Sequence, residues 1–309
     1  MTESWQLIMK NFISLLDFSN DQLVHLLNRA DILYTRWQHH HMPQPLLDRQ
    51  VGLWFYGQGF RNRLAFEVGA KVMGGQVTYI PGELGVQEPL EDIGHYLENW
   101  YSLLVVRAPN HEDLTYLAAN TAIPVINART NFSHPCEIMG DLQYIRRQRT
   151  SLDGLKVVFV GEITNLCMSW FEAAARFPIH VTQVAPEADL ATPALISVLS
   201  TGALGSITVT TDLDEALVGA NLIYTDAWPK PTPERSKEHI RDQYLPYQIT
   251  LEHLSRLGED ALFLPCPPVT RGEEVSAEAM QSPLCQNYAA KNFLLHAQNA
   301  IMEMLVSPA

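Results

Sequence analysis

Short apolar runs of strand length alternate with segments of helical apolar spacing along almost the whole chain, and this alternation restricts the fold more than any other feature. The runs "VGLWFY" (51–56), "QVTYI", "SLLVVRA" and "IPVINA" are followed by "RLAFEVGAKVMGG", "PLEDIGHYLENW", "HEDLTYLAANT" and "HPCEIMGDLQYIRRQ", whose apolar residues recur at helical spacing. Strands alternating with helices in this way imply a parallel sheet covered on both faces. A second cycle starts near Leu155 with "LKVVFVG" and "NLCMSWFEAAARF", and runs through "IHVTQVA", "TPALISVLSTGA", "ITVTTD", "LDEALVGA", "NLIYTDAW" and "ALFLPCP". The expected fold is therefore α/β, with two doubly wound parallel-sheet domains. The polar "QRTSLDG" (148–154) reads as their linker. An amphipathic helix opens the chain behind Ser19, a predicted N-cap with Asp21 in the first turn. Another, "AAKNFLLHAQNAIMEMLV", closes it, and periodicity alone does not say where that one packs.

A length of 309 residues suits two domains that each bury a core. The net charge of −13 with no basic stripe argues against a nucleic-acid surface, so any anion must be held by a local pocket. No apolar run reaches the ~18 residues that a membrane span needs. The N-terminus has an early acidic residue and no basic region ahead of an apolar stretch, which predicts a cytoplasmic protein without a signal peptide. Cys136, Cys167, Cys266 and Cys285 lie far apart and form no CxxC pair, so neither a zinc ribbon nor a disulfide scaffold is indicated and reduced thiols are expected. The run His39 to His41 reads as a solvated helix end, because consecutive side chains on a helix diverge too far to share one ion.

Ligands of open parallel sheets bind outside the carboxyl ends of the strands. Arg61 and Asn62 follow the first strand at a helix start, Arg107 ends "LLVVR", and His134 precedes a helix after "PVINARTNFS". Two guanidiniums converging with a helix N-terminus would form a phosphate or carboxylate site. Taken singly, each arginine reads more readily as a surface ion-pair partner. His134 reads either as a core or capping residue or as a donor to a developing oxyanion. Arg63 is expected to pair with Glu67, one turn further along the helix.

The order of "R-x-R-x-x-FE-x-G" from Arg61, then Arg107, "HPC", "TDAW", "C-x-P", "RGEEV" and "LHAQ" resembles the aspartate/ornithine carbamoyltransferase family, and most of all its ornithine carbamoyltransferases. The resemblance runs from "LLDFSNDQL" to "LLHAQNAIM". It implies a carbamoyl-phosphate domain, 1–147, completed by the returning helix 289–309, and an amino-acid domain, 148–288, with the active site in the cleft between them. It further implies a homotrimer in which the loop "PGELGVQEPLED" of a neighbouring subunit, with Glu83, completes each site. Arg61 and Arg107 would neutralise the phosphate, with Gly59, Phe60, Asn62, Glu137 and Pro267 beside it. Arg107 and His134 would polarise the carbonyl, and Cys266 would line the acceptor's approach. Asn165 and Asp226 would hold the ends of an amino-acid-like amine, with Lys230 close to it. No cofactor is implied.

The departures from the family pattern fall on these same positions. Gly59, Phe60 and Asn62 stand where the family carries hydroxyl side chains, each worth about 1.5–3 kcal/mol as a bond to a charged phosphate. Glu137 replaces a glutamine and Glu83 a neutral residue, and two carboxylates near a dianion repel it unless one is protonated or faces a cation. "TDAWPKPTPE" replaces the usual Ser-Met-Gly loop, and Leu294 stands in place of an arginine. Lys230 reads either as a solvated loop lysine or as the partner of an acidic group on the acceptor. The expectation is a carbamoyltransferase of altered specificity. The alternatives are a binding or regulatory protein without the reaction, and an enzyme that acts on a ureido or guanidino compound without free carbamoyl phosphate.

Overall fold

The computed structural model describes residues 10–57, 59–86 and 88–306; the first nine residues, Gln58, Gln87 and the last three, parts of the predicted N-terminus, loops and closing helix, lie outside the described residues. The chain divides into two compact units, one of residues 1–144 with 291–309 and one of residues 145–290.

In the first unit, helix α1 (Asn20–Gln38) leads into strand β1 (Gln50–Phe55), helix α2 (Phe60–Val72), β2 (Gln76–Ile80), α3 (Leu90–Leu97), β3 (Leu103–Arg107), α4 (His111–Ala119), β4 (Val125–Arg129) and α5 (Pro135–Arg149). The sheet is parallel, in the order β2-β1-β3-β4. β1 and β3 are central and almost wholly buried, as their unbroken apolar runs require, whereas β2 lies at an edge and is largely exposed. Ser19 caps α1 as its sequence predicts, its hydroxyl accepting from the Gln22 N–H at 3.3 Å while Gln22 returns a bond to the Ser19 N–H. Leu23, Leu26, Leu27, Ala30 and Leu33 form the buried stripe of that helix. His39 to His41 follow its end and are exposed.

In the second unit, β5 (Lys156–Val160), α6 (Asn165–Arg176), β6 (His180–Val184), α7 (Pro193–Ser200), β7 (Ser206–Thr210), α8 (Leu213–Leu217), β8 (Leu222–Thr225), α9 (Lys237–Tyr244), α10 (Leu251–Ser255) and β9 (Leu262–Pro265) form a parallel sheet in the order β7-β6-β5-β8-β9. Helices α9 and α10 are short, and the sequence reading did not anticipate them. The start of the predicted linker is helical, because α5 runs to Arg149. Helix α11 (Asn287–Val306) supplies the last segment of the first unit. Gly140 of α5 lets it approach, since a Cβ there would stand 3.0 Å from the Leu294 Cα. Among the described residues, no helix is long and apolar enough to cross a membrane.

Candidate active site

In each sheet the strand order reverses at one place, between β1 and β3 in the first unit and between β5 and β8 in the second. Crevices of this kind are where doubly wound sheets take ligands. Arg61 and Arg107 lie at the first of them. The Tyr56 N–H donates to the Arg107 carbonyl at 2.8 Å across the strand ends, and a register shift between Val106 and Arg107 turns the arginine as β3 finishes.

Gly59 caps α2 in the left-handed region, φ 46°, without a side-chain bond. The first intrahelical bond is from the Arg63 N–H to the Gly59 carbonyl at 2.9 Å, so the amides of Phe60, Arg61 and Asn62 have no partner within the helix. Such a start attracts anions. A Cβ on Gly59 would lie 3.0 Å from the Arg107 Cδ, so the glycine is what leaves room for that arginine. Arg61 and Phe60 are both exposed, Phe60 by 62%.

Two expectations about this helix are corrected. The Asn62 side chain faces inward, its amide donating to the Ala128 carbonyl at 2.6 Å and its oxygen accepting from Gln298 at 2.7 Å, so the packing of α2 on β4 and α11 has claimed it. Arg63 does not pair with Glu67, which holds Lys71 at 2.7 Å; the Arg63 guanidinium lies over the Tyr79 ring instead.

His134 occupies the residue before α5, where Pro135 opens the helix and the Glu137 N–H donates to the His134 carbonyl at 3.2 Å. A turn held by Thr130, whose hydroxyl accepts from the Ser133 N–H at 3.2 Å, delivers it there. Its ring is buried, with Nε2 3.6 Å from a Glu137 oxygen. Burial above all, then the Arg129, Arg107 and Lys291 charges, pushes the imidazole down to about 3 against the upward pull of Glu137, so at neutral pH it is an uncharged hydrogen-bonding group. Burial also leads in pushing Arg107 down to about 10, helped by Arg129 and Arg61; it stays a cation at neutral pH. Burial pulls the Glu137 carboxyl upward, but the Lys291 ammonium at 2.6 Å, His134 and Arg61 together outweigh it and hold the group below the usual carboxylate range. Cys136 donates its S–H to the Asn127 carbonyl at 3.3 Å and is structural.

At the second crevice Asn165 opens α6 behind the N-cap Thr164, and Asp226 follows β8. Asn165 is buried and Asp226 half-buried. An Asp226 oxygen accepts from the Ala227 N–H at 2.8 Å. The Cys266 N–H donates to the Thr225 carbonyl at 2.8 Å, which sets the buried thiol and half-buried Pro267 beyond the ends of β8 and β9. Lys230 is exposed on a strap that also holds Pro229, Pro231 and Pro233. The strap is tied at both ends. Trp228 packs with Ile240 and Tyr244, and Arg235 forms a two-pronged pair with Asp189 at 3.0 and 2.6 Å while also donating to Gln243. Glu162 lies nearby, its carboxyl raised by burial and by Asp189 and Asp226. Glu83 is exposed on the loop after β2, whose Gly82 carbonyl accepts from the Trp54 indole at 2.9 Å.

Residues 10–147 match the model of the aspartate/ornithine carbamoyltransferase carbamoyl-P binding domain, and residues 153–305 that of the Asp/Orn binding domain. An ornithine carbamoyltransferase of Symbiobacterium thermophilum is 32% identical over 304 residues, covering 96% of this chain and 98% of its own. The anabolic ornithine carbamoyltransferase structure from Campylobacter jejuni superposes with a TM-score of 0.88 at 26% identity over 96% of this chain and 99% of that one. The ornithine carbamoyltransferase structure from Gloeobacter violaceus gives 0.84 at 29% identity, over 96% and 99%. The chain belongs to the aspartate/ornithine carbamoyltransferase family.

Set against that family, the structure adds residues the sequence reading missed. Lys291 had no signal beyond one cation in an otherwise apolar and polar helix, because its partners Glu137 and Asp141 lie about 150 positions away in the chain. Arg129, at the end of β4, could have been found by the same strand-end rule that found Arg107. Glu162 and Arg235 flank segments that were singled out, but their ties run through Asp189, in a stretch that carries no motif.

Proposed function

We propose that the protein transfers a carbamoyl group from carbamoyl phosphate to an amine of an amino-acid-like acceptor, with a specificity that differs from that of ornithine carbamoyltransferase. The observation that carries this reading is the grouping of Arg61, Arg107 and neutral His134 with the open amides of α2 at the crevice of the first sheet. Arg61, Arg107 and the amides bind the phosphate, with Gly59 as spacer. His134 and Arg107 donate to the carbonyl oxygen. As the amine nitrogen bonds to the carbonyl carbon, charge builds on that oxygen and these donors stabilise it. The carbon–oxygen bond to phosphate then breaks, phosphate leaves with the electron pair, and the new ureido nitrogen gives up its proton to the departing phosphate. Asn165, Asp226, Lys230 and Cys266 are the acceptor-side residues of the second unit, and Pro267 is assigned to the carbamoyl phosphate. The family resemblance supports a homotrimer whose neighbouring loop brings Glu83, and a cytoplasmic enzyme.

A calorimetric titration with carbamoyl phosphate, followed by an amine panel assayed for ureido product, tests the reading. Heat in the millimolar range or below and turnover with an amine are expected. Absence of heat at millimolar carbamoyl phosphate sinks it and leaves a binding protein or an enzyme that acts without free carbamoyl phosphate. The Lys291 ammonium already takes up the Glu137 charge at 2.6 Å, so Glu137 alone does not favour a cationic guanidino or amidino substrate. Guanidino compounds in the panel test that alternative.

A further inference from the structure

Helices α5 and α11 meet at Gly140, and that approach places one ammonium between two carboxylates. Lys291 Nζ lies 2.6 Å from Glu137 Oε1 and 2.9 and 3.0 Å from the two oxygens of Asp141. Glu137 and Asp141 are one turn apart on α5, and His134 lies three residues before Glu137 on the same face. All of them are buried or nearly so, with 11% of the Lys291 side chain and 1% of the Asp141 side chain exposed. Buried charge of this kind persists only when it is paired.

The groups facing His134 are Glu137 on its own helix, Arg107 and Arg129 from the ends of β3 and β4, and Lys291 from α11. Those facing Glu137 are Lys291, His134, Arg61 of α2 and Arg107. Glu137 thus has one oxygen on Lys291 and the other 3.6 Å from the His134 ring. Without the ammonium, that carboxylate has the imidazole as its nearest partner, and the pair would share a proton.

We propose that Lys291 is a positioning residue for the donor crevice: by drawing the Glu137 carboxylate onto α11 it lets burial keep His134 an uncharged donor for the transferred group. The role assigned to His134 rests on the proposed carbamoyl transfer, but the charge arrangement does not. Lys291 keeps the negative charge of Glu137 beside the site without letting it fix a proton on His134.

Nuclear magnetic resonance of histidine-labelled protein, without substrate, tests this directly. The His134 signal is assigned by its loss in His134→Gln, and pH is varied from 5 to 8. The native signal is expected to be flat. In Lys291→Met it acquires a titration step within that range, in Lys291→Arg it stays flat, and adding Glu137→Gln to Lys291→Met removes the step. Because Asp141 loses its partner as well, Lys291→Met with Asp141→Asn serves as the variant that keeps the change confined to Glu137, and it shows the same step. A flat signal in both Lys291→Met forms, or a step that survives Glu137→Gln, overturns the inference. If the protein binds no carbamoyl phosphate but the step is present, the proposed reaction fails while the role of Lys291 stands.

Discussion

The resemblance leads one to expect a serine at Gly59, so adding a side chain there would seem to repair the proposed phosphate site; the structure requires the opposite. At φ 46° a Cβ costs about 1 kcal/mol of backbone strain. It also meets the Arg107 Cδ and the Phe55 Cδ1, each at 3.0 Å. Phe55 is buried at the end of β1 and cannot yield, so Arg107 must move. Losing one charge-assisted phosphate contact costs about 1.5–3 kcal/mol, or roughly a 10- to 150-fold weaker Kd. Gly59→Ala should therefore melt at lower temperature and bind carbamoyl phosphate, or inorganic phosphate, weaker by that factor in calorimetric titration. Gly59→Ser regains at most one bond through its hydroxyl and should fall between Gly59→Ala and the native protein. A Gly59→Ala protein of native stability that binds within twofold of the native Kd, or a Gly59→Ser protein that binds more tightly than native, would refute the reasoning.

Two further outcomes follow from buried polar groups. Asn62→Thr, which puts in the hydroxyl that the resemblance leads one to expect, removes the partners of the Ala128 carbonyl and the Gln298 amide. It should destabilise the first unit by about 2–3 kcal/mol in denaturant unfolding without tightening donor binding. Glu274 is 3% exposed; one of its oxygens accepts from the Thr270 N–H at 2.6 Å and the other is buried with no hydrogen-bond partner among the described residues. Burial raises its carboxyl to about 7. The native state then binds the extra proton, so its contribution to stability falls as pH rises from the unfolded value of about 4.3 toward 7, by at most about 3 kcal/mol. Glu274→Gln should be the more stable protein at pH 8 and lose that advantage by pH 4.5; melting curves that run parallel at all pH values would contradict this.

The sheet and most of its helices were legible because each segment decides its own period. "LLVVR" can only be a buried parallel strand, and Ser19 with Gln22 marks a helix start wherever it occurs. Strand-end logic likewise pointed to Arg61, Arg107 and His134, which the structure groups with one another. What it could not find depends on packing between distant segments. Whether Asn62 faces a ligand or the core is decided by Gln298, and whether Glu137 repels an anion is decided by Lys291. The pairing assigned to Arg63 and Glu67 obeyed the one-turn rule, but Lys71 satisfies that rule from the other side and Tyr79 offers Arg63 a ring. The altered acceptor loop was visible as a change of residues, whereas the tie from Arg235 to Asp189 that holds it was not.

The return of α11 also sets an order of events during synthesis. Residues 145–290 form an uninterrupted unit and can complete their core as soon as the last of them has been made. The first unit cannot. Its α1 waits for the Glu303 carboxylate that takes Arg29 in two bonds of 2.6 Å, and Tyr34 waits for the Phe293 ring stacked on it at 4.9 Å. The segment made first is therefore the one finished last, and until residues 291–306 arrive it carries an open apolar groove that the growing chain must shelter.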